Sequence, residues 1–342
     1  MENTVIINAP MLEFLPSTSA TFLEGWSMLV FENEPHAIER FRVRWPVWLF
    51  NTSTHVVGQN APCVYTFVLT DTLHRELYAF FHLFVFDSPL RGRSPYRASF
   101  GSFEVVEHLS HRVFGEWLQG IEKFVKIQQI SSLEIVHYPQ CYAPAQSAFI
   151  KRGLLRQGFI IEKNFENHYF NVNQQPYVQH LHPSERRRLR KCQRAGFCFE
   201  EWFSPNPEEV FAFIEQNRKA LGYKLSFDLG QLKQWLYIFP EQFKVFAVKD
   251  DDTIVSLALV VRVGPRVLYN FCPADRLLYR SFSPTVMLHE GLYQYCQKEN
   301  ISILDLGISV NAYGQPKQSL MRFKSKLGAV ICPKMTFAKT LV

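Results

Sequence analysis

Residues 283–328 constrain the fold more tightly than any other stretch of this chain. Ser283-Pro284 opens the stretch as a helix start, with Ser placed to cap free amides and Pro at the first helical position. Val286, Met287, Leu292 and Tyr295 then recur at helical spacing, which predicts an amphipathic helix over 283–299. An apolar run at 301–306 follows and ends in Asp305-Leu306-Gly307, the pattern of a short buried strand. Ser309, Asn311 and Tyr313 mark a polar loop. A second helix carries Leu320, Met321, Phe323 and Lys324, and Gly328 closes it. This order puts a run of polar side chains just past the C-terminal end of an internal strand, where sites in open α/β sheets collect.

The remaining chain reads as two passes through one architecture. A length of 342 residues suits two domains better than one, and a hydrophobic share of 47% supplies two packed cores and excludes a disordered chain. Residues 1–62 are read as part of the first domain, with a short helix at 21–29 and a strand at 42–50 that Pro46 weakens; 51–62 is polar and turn-rich. Strands are expected at 63–69 and 77–86, joined by a turn at 70–76. A loop at 87–101 holds Arg91, Arg93 and Arg97. A helix at 105–128, a strand at 132–137, a helix at 143–157 and a strand or bent pair at 159–172 complete the first domain, 63–175. The second, 176–342, begins with a helix at 184–196 and a strand at 197–203. Asn206-Pro207-Glu208-Glu209 is a strong helix start, another helix spans 228–239, and strands at 243–249, 253–263 and 266–272 form a meander before the block at 283–328. The fold class is α/β (α+β), two tandem domains, each a mostly antiparallel mixed sheet flanked by helices.

Several chemistries are set aside at this stage. Seven scattered cysteines lack any C-x-x-C pair, and the histidine pairs 108/111 and 180/182 have no carboxylate or thiol partners at ligand spacing, so no metal is expected. There is no P-loop, dinucleotide fingerprint or nucleophile elbow. The longest apolar run, 77–86, is about half the length that crosses a bilayer. Residues 1–16 lack the basic-then-apolar pattern of a secretory signal, so the expected location is cytoplasmic, with a peripheral contact at the inner membrane face left open. The net charge of +6 permits anionic partners without requiring them.

The charge is not spread evenly. Between Arg186 and Arg194 lie six basic residues, preceded by a single acid, Glu185, and the segment ends in Arg194-Ala195-Gly196 before an aromatic-rich strand. This basic helix, together with Asp305-Leu306-Gly307 and Arg322-Phe323-Lys324 before Leu327-Gly328, resembles the second domain of the Fem-like acyltransferases, which join two GNAT-type domains. The resemblance covers roughly residues 183–333; over 63–172 it is one of architecture. It implies transfer of an acyl or aminoacyl group to an amine, with acyl-CoA or aminoacyl-tRNA as co-substrate and no permanently bound cofactor. The acceptor would be an amine on a cell-wall precursor, a lipid headgroup or an amino acid. The alternative is an RNA-binding or scaffold protein with a degenerate GNAT fold.

Amine attack on an ester or thioester needs a deprotonated nitrogen, a donor for the oxyanion and a grip on the carrier. Lys324 matches the Phe-Lys position that supports the reacting carbonyl in Fem-type enzymes; a solvated lysine is the plain alternative. Asp305 is a candidate to take or orient the amine proton, or else to brace a loop. Tyr269 and Asn270 would line the acyl groove, with Tyr269 as a donor to the leaving oxygen. Ser309, Asn311 and Tyr313 are candidate acceptor contacts. Arg186, Arg187, Arg190 and Arg194 would hold tRNA or diphosphate oxygens. Arg276, Arg280 and Ser283 stand where GNAT enzymes hold a carrier pyrophosphate at a helix N-terminus, although the 276–281 segment lacks the glycines of that loop. Arg91 and Arg93 would bind acceptor phosphates from the first domain.

Overall fold

The computed structural model describes residues 4–7, 25–71 and 76–341. The chain divides into two compact units, one comprising residues 1–164 with 333–342, the other residues 165–332. The sequence pattern placed the division at 173–176 and gave the C-terminal residues to the second domain. The structure instead sends the last ten residues to the first unit, because the final strand finds its ladder partner there.

In unit 1, β1 (Thr4–Ile7) pairs with β2 (Trp26–Glu32), and a short helix α1 (Ser53–Gly58) precedes the long antiparallel strands β3 (Cys63–Asp71) and β4 (Leu77–Phe86). β5 (Arg91–Ser94), β6 (Glu104–Val105), helix α2 (His111–Ile127), β7 (Ser132–Val136) and helix α3 (Pro144–Arg156) follow. Within this unit β2, β3, β4, β5 and β7 lie side by side, with β5 parallel to β7 and the other neighbours antiparallel. α2 starts six residues later than its periodicity suggests, since Glu104–Val105 pairs with β4 and Ser110 accepts a hydrogen bond from Val113 N at 3.2 Å to cap the helix. It then buries Val113, Phe114, Trp117, Ile121 and Val125, one apolar stripe at helical spacing.

Three expectations for this unit are corrected. Residues 26–32 form a strand rather than part of a helix, the ladder to β3 taking all seven; residues 21–24 lie outside the described residues. The 42–50 segment is not a strand. It is held through a buried acid: Trp48 N and Asn51 Nδ2 donate to Glu104 Oε1 at 3.0 and 2.9 Å, and Trp45 Nε1 donates to Oε2 at 3.2 Å. The presumed loop at 87–101 contains β5, since Gly92 lets the backbone pack between Leu83 and Leu133. The turn expected at 70–76 falls largely on residues 72–75, outside the described residues.

β8 (Ile160–Asn171) leads into unit 2, where helix α4 (Pro183–Arg194), β9 (Cys198–Glu201) and helices α5 (Pro207–Lys219) and α6 (Leu229–Ile238) precede the meander β10 (Phe243–Asp250), β11 (Thr253–Gly264) and β12 (Val267–Asp275). Helix α7 (Pro284–Lys298), β13 (Ile303–Ile308) and helix α8 (Gln318–Lys326) follow, and β14 (Val330–Thr340) ends the described chain, its residues 336–340 pairing with β7. Within unit 2 the strand order is β8-β13-β12-β11-β10-β9, with β12 and β13 parallel. β11 is an almost unbroken run of buried residues because both faces of the sheet are covered there. α7 buries Val286, Met287, Leu288, Leu292 and Tyr293 in the core of this unit.

The expected serine cap of α7 is absent. Ser283 sits in the left-handed region at φ 58° and its side chain caps nothing, while Pro284 takes the first helical turn as its ring allows.

Candidate functional site

The site begins where two strands part. β12 and β13 run in register from Val267↔Ile303 to Tyr269↔Asp305, and there the ladder stops. β12 continues to Asp275 against β11 alone. β13 turns away at a bulge, where Gly307 adopts φ 69°, a left-handed conformation that costs a side-chain-bearing residue about 1–2 kcal/mol. A Cβ at Gly307 would also stand 3.2 Å from the Tyr269 ring.

Two polar side chains hold the bulge from both ends of its peptide groups. Asp305 Oδ1 accepts from Gly307 N at 2.7 Å and from Asn167 Nδ2 at 2.6 Å. Lys324 Nζ, projected from α8, donates to Gly307 O at 2.8 Å and Ile308 O at 2.9 Å. The lysine is only 7% exposed, so the solvated alternative is excluded. Burial pushes its pKa down to about 7, with Asp305 opposing the shift and Arg218 adding to it.

Between the parted strands lies a pocket of about 550 Å³. Tyr269, Asn270, Phe271, Leu306, Gly307, Ile308 and Lys324 form its inner end. Asp275 stands about 16 Å along β12 from Asn270, taking about 3.3 Å per strand residue, and Arg280, Ser283 and Thr285 line the pocket from the start of α7 and the segment before it. Arg188, Arg218, Arg280, Lys317 and Lys324 all contribute to the wall, against Asp275 as the one acid in the lining. Asp275 is itself compensated: burial raises its pKa, and Arg280, Arg218 and a hydrogen bond from Thr285 oppose the rise. Lys317 Nζ donates to Tyr223 OH at 2.9 Å, which ties the polar loop after β13 to the segment after α5. The excess of basic side chains makes the field in this pocket positive.

The structure brings together Lys324, Tyr269, Asn270, Asn311, Arg280 and Ser283 from the sequence-based set. Asn311 serves its own loop, accepting from Tyr313 N and Gln315 N at 2.9 and 3.0 Å. Asp305 lies behind the bulge and outside the pocket lining, so its role as a proton acceptor gives way to that of a brace. Ser309 is buried beside the bulge with no hydrogen-bond partner for its hydroxyl, and Tyr313 is 88% exposed; neither lines the pocket. Arg187, Arg190 and Arg194 are exposed on α4, while Arg186 donates to Leu181 O at 3.3 Å and is half-buried. Arg276 is exposed and stacks over Phe213, outside the lining. Arg91 and Arg93 do not form a phosphate loop: they belong to β5, and they pair with Asp87 and, at 2.9 Å, Glu134.

Sequence reasoning missed Arg188, Arg218, Asp275 and His289. His289 is buried in α7, with Nδ1 2.6 Å from Thr285 O and Nε2 3.4 Å from Asn270 Nδ2. A polar residue inside the apolar stripe of α7 was the available signal for it. Arg188 was hidden among its neighbours; it is exposed like them, and its pairing with Glu185 at 2.9 Å and its place in the pocket lining distinguish it. Among the described residues there is no group of three or more His, Cys, Asp or Glu side chains arranged to hold a metal ion, and no helix is long and apolar enough to cross a membrane.

Residues 184–315 match the acetyltransferase (GNAT) domain family. No curated protein sequence matches the chain. Among solved structures, FemX superimposes with a TM-score of 0.64 at 13% identity, covering 81% of this chain and 88% of its own. A tandem GNAT protein from the clavulanic acid biosynthesis pathway covers 100% of this chain and 99% of its own, with a TM-score of 0.51 at 10% identity. The C-terminal domain of a putative lysylphosphatidylglycerol synthetase from Agrobacterium fabrum has a TM-score of 0.50 at 11% identity, covering 76% of this chain and 81% of its own. At these identities the structural likeness shows the fold alone, a mixed α/β fold of two tandem GNAT-like units.

Proposed function

We propose that this Fem-type, GNAT-fold transferase forms an amide on an amine acceptor, taking an acyl or aminoacyl group from acyl-CoA or aminoacyl-tRNA at the pocket of unit 2. One observation carries the reading: a nearly buried ammonium, Lys324, is fixed at the inner end of a cation-lined pocket opened between two parallel strands. The carrier's phosphates would meet Arg188, Arg218 and Arg280 near the start of α7, where uncapped amides add to the positive field. The reacting carbonyl would lie toward Lys324.

The chemistry is a single displacement at that carbonyl. The neutral amine attacks, the new C–N bond forms, and a tetrahedral oxyanion develops. Collapse of the oxyanion breaks the C–O or C–S bond, and the proton lost from the attacking nitrogen ends on the departing oxygen or sulfur, so that the carrier leaves as the neutral hydroxyl or thiol. Two N–H groups of the Lys324 ammonium are used by Gly307 O and Ile308 O, which leaves one to donate to the oxyanion. A fixed donor of that kind is worth about 10²–10³ in kcat. The acceptor is one of the amines named above: a cell-wall precursor, a lipid headgroup or an amino acid.

The test is a transfer assay that crosses acyl-CoAs and charged tRNAs with amines of these three classes. It is paired with a variant carrying Arg187→Glu, Arg190→Glu and Arg194→Glu on the exposed face of α4. With a tRNA donor, the variant should raise KM for the donor and flatten the log–log salt dependence by about 2–3, three phosphate contacts being lost. With acyl-CoA, the same variant should leave KM unchanged. No transfer from any donor to any amine would sink the proposal.

A further inference from the structure

The pocket's inner end contains a hydrogen-bond arrangement whose polarity can be worked out atom by atom. His289 Nδ1 lies 2.6 Å from Thr285 O, a carbonyl that can only accept, so Nδ1 carries the proton. Burial pushes the ring's pKa down to about 4, so at neutral pH the other nitrogen, Nε2, is a bare acceptor. The atom of Asn270 that faces it at 3.4 Å must therefore be the amide nitrogen. That fixes the asparagine's orientation. Asn270 is 3% exposed, it lines the pocket, and its Oδ1 has no partner. It is also the first residue of β12 beyond the last rung shared with β13, so it stands where the strands begin to part. A buried amide oxygen left without a donor destabilises the site, and a ligand N–H would recover that cost.

We infer that Asn270, locked in one orientation by His289, is a specificity element that selects a ligand carrying a neutral N–H at the inner end of the pocket over one carrying an ester or ether oxygen or a carbon there. His289 acts through Asn270 and is a positioning residue. The cations in the wall disfavour an ammonium at that depth, so the favoured group is a neutral amine or an amide. Two sources share this chemistry, the carried acyl group and the attacking acceptor, and the pocket offers both the same oxygen. The inference rests on the proposed transferase reading for its reaction and on the geometry alone for its binding preference.

Two measurements separate those dependencies. The first needs no turnover. N-methylacetamide and methyl acetate, which differ by N–H against O, are titrated into the full-length protein, and the Asn270 side-chain amide and His289 ring nitrogens are followed by NMR. The expected result is that His289 shows a protonated Nδ1 and unprotonated Nε2 at neutral pH, and that N-methylacetamide shifts the Asn270 signal at concentrations at least ten-fold lower than methyl acetate. Equal response to the two probes overturns the inference. The second measurement compares alanyl-tRNA with propionyl-tRNA, and alanyl-CoA with propionyl-CoA, as donors to one amine. A wild-type preference of ten-fold or more for the amino form, lost in Asn270→Leu, assigns the N–H to the carried acyl group. Equal rates with both forms, alongside the fragment preference, assign it to the acceptor. In His289→Phe the asparagine is free to turn over, and the fragment preference should shrink toward unity while the fold is retained. A preference unchanged in His289→Phe overturns the positioning role. If no donor reacts but the fragment preference stands, the transferase reading fails and this one survives.

Discussion

Lys324 gives the sharpest test of the site because its stability and its charge are linked with a definite sign. Lys324→Met keeps the aliphatic stem and removes the ammonium, leaving Gly307 O and Ile308 O without their donor. Each unsatisfied buried carbonyl costs about 1–3 kcal/mol. The wild type carries an opposing cost, since burial lowers the folded-state pKa from 10.5 to about 7. Between those values the unfolded chain holds a proton that the folded one has released. Stability therefore rises with pH in that window, by about 1.4 kcal/mol per unit, and the penalty for the buried charge is fully present below it. At pH 6 the variant should equal or exceed the wild type. At pH 9 the wild type should have gained about 2–3 kcal/mol relative to the variant. Native-state hydrogen exchange of peptides from β12 and β13, corrected for intrinsic rates, reads the difference within unit 2. An NMR titration of the lysine nitrogen reads the midpoint directly. Parallel pH profiles for the two proteins, or a midpoint near 10.5, would show that the ammonium is hydrated and would remove the basis for a dry reacting end. Activity adds a separate axis: loss of about 10²–10³ in kcat at a pH where both proteins are folded is expected of an oxyanion donor. A variant with normal kcat and altered stability would leave Lys324 as a brace for the bulge.

Two further perturbations test the supports. Gly307→Ala forces a Cβ into a left-handed position 3.2 Å from the Tyr269 ring, and should cost about 1–2 kcal/mol and raise KM, as read by thermal denaturation and steady-state kinetics; unchanged KM would mean that the bulge does not shape the pocket. In unit 1, burial pushes the Glu104 carboxyl up to about 7 against three donors that pull it down. The folded state thus holds a proton that the unfolded state has lost between about 4.5 and 7, and stability should fall as pH rises through that range. Glu104→Gln turns its amide nitrogen toward at least one donor, costs about 1–3 kcal/mol and removes the slope. The gap between wild type and variant should therefore be wider at pH 5 than at pH 7.5 by thermal denaturation, and a constant gap would show that Glu104 does not titrate there.

What the sequence revealed and what it hid follow from how local each determinant is. The meander β10–β12 and helix α7 were legible because apolar runs, a Pro start and Asp or Gly turns all lie within or beside the elements themselves. The bulge in β13 was not, because it depends on Asp305 capturing Gly307 N while Asn167, far away in sequence, holds the same oxygen. β5 was read as a loop because Arg91-Gly92-Arg93-Ser94 has no apolar alternation; its burial comes from Leu83 and Leu133 closing on Gly92. The two units use a glycine at the corresponding parallel pair in opposite ways. Gly92 keeps β5 against β7 through Ser94↔Ile135, whereas Gly307 breaks β13 away from β12 after Asp305. A shared order of strands and helices therefore does not by itself predict where a ligand enters. The local backbone choice at one residue opens the pair in unit 2, and the polar groups that hold it open, Asp305 and Lys324, are the ones whose functional reading from sequence had to be revised or sharpened.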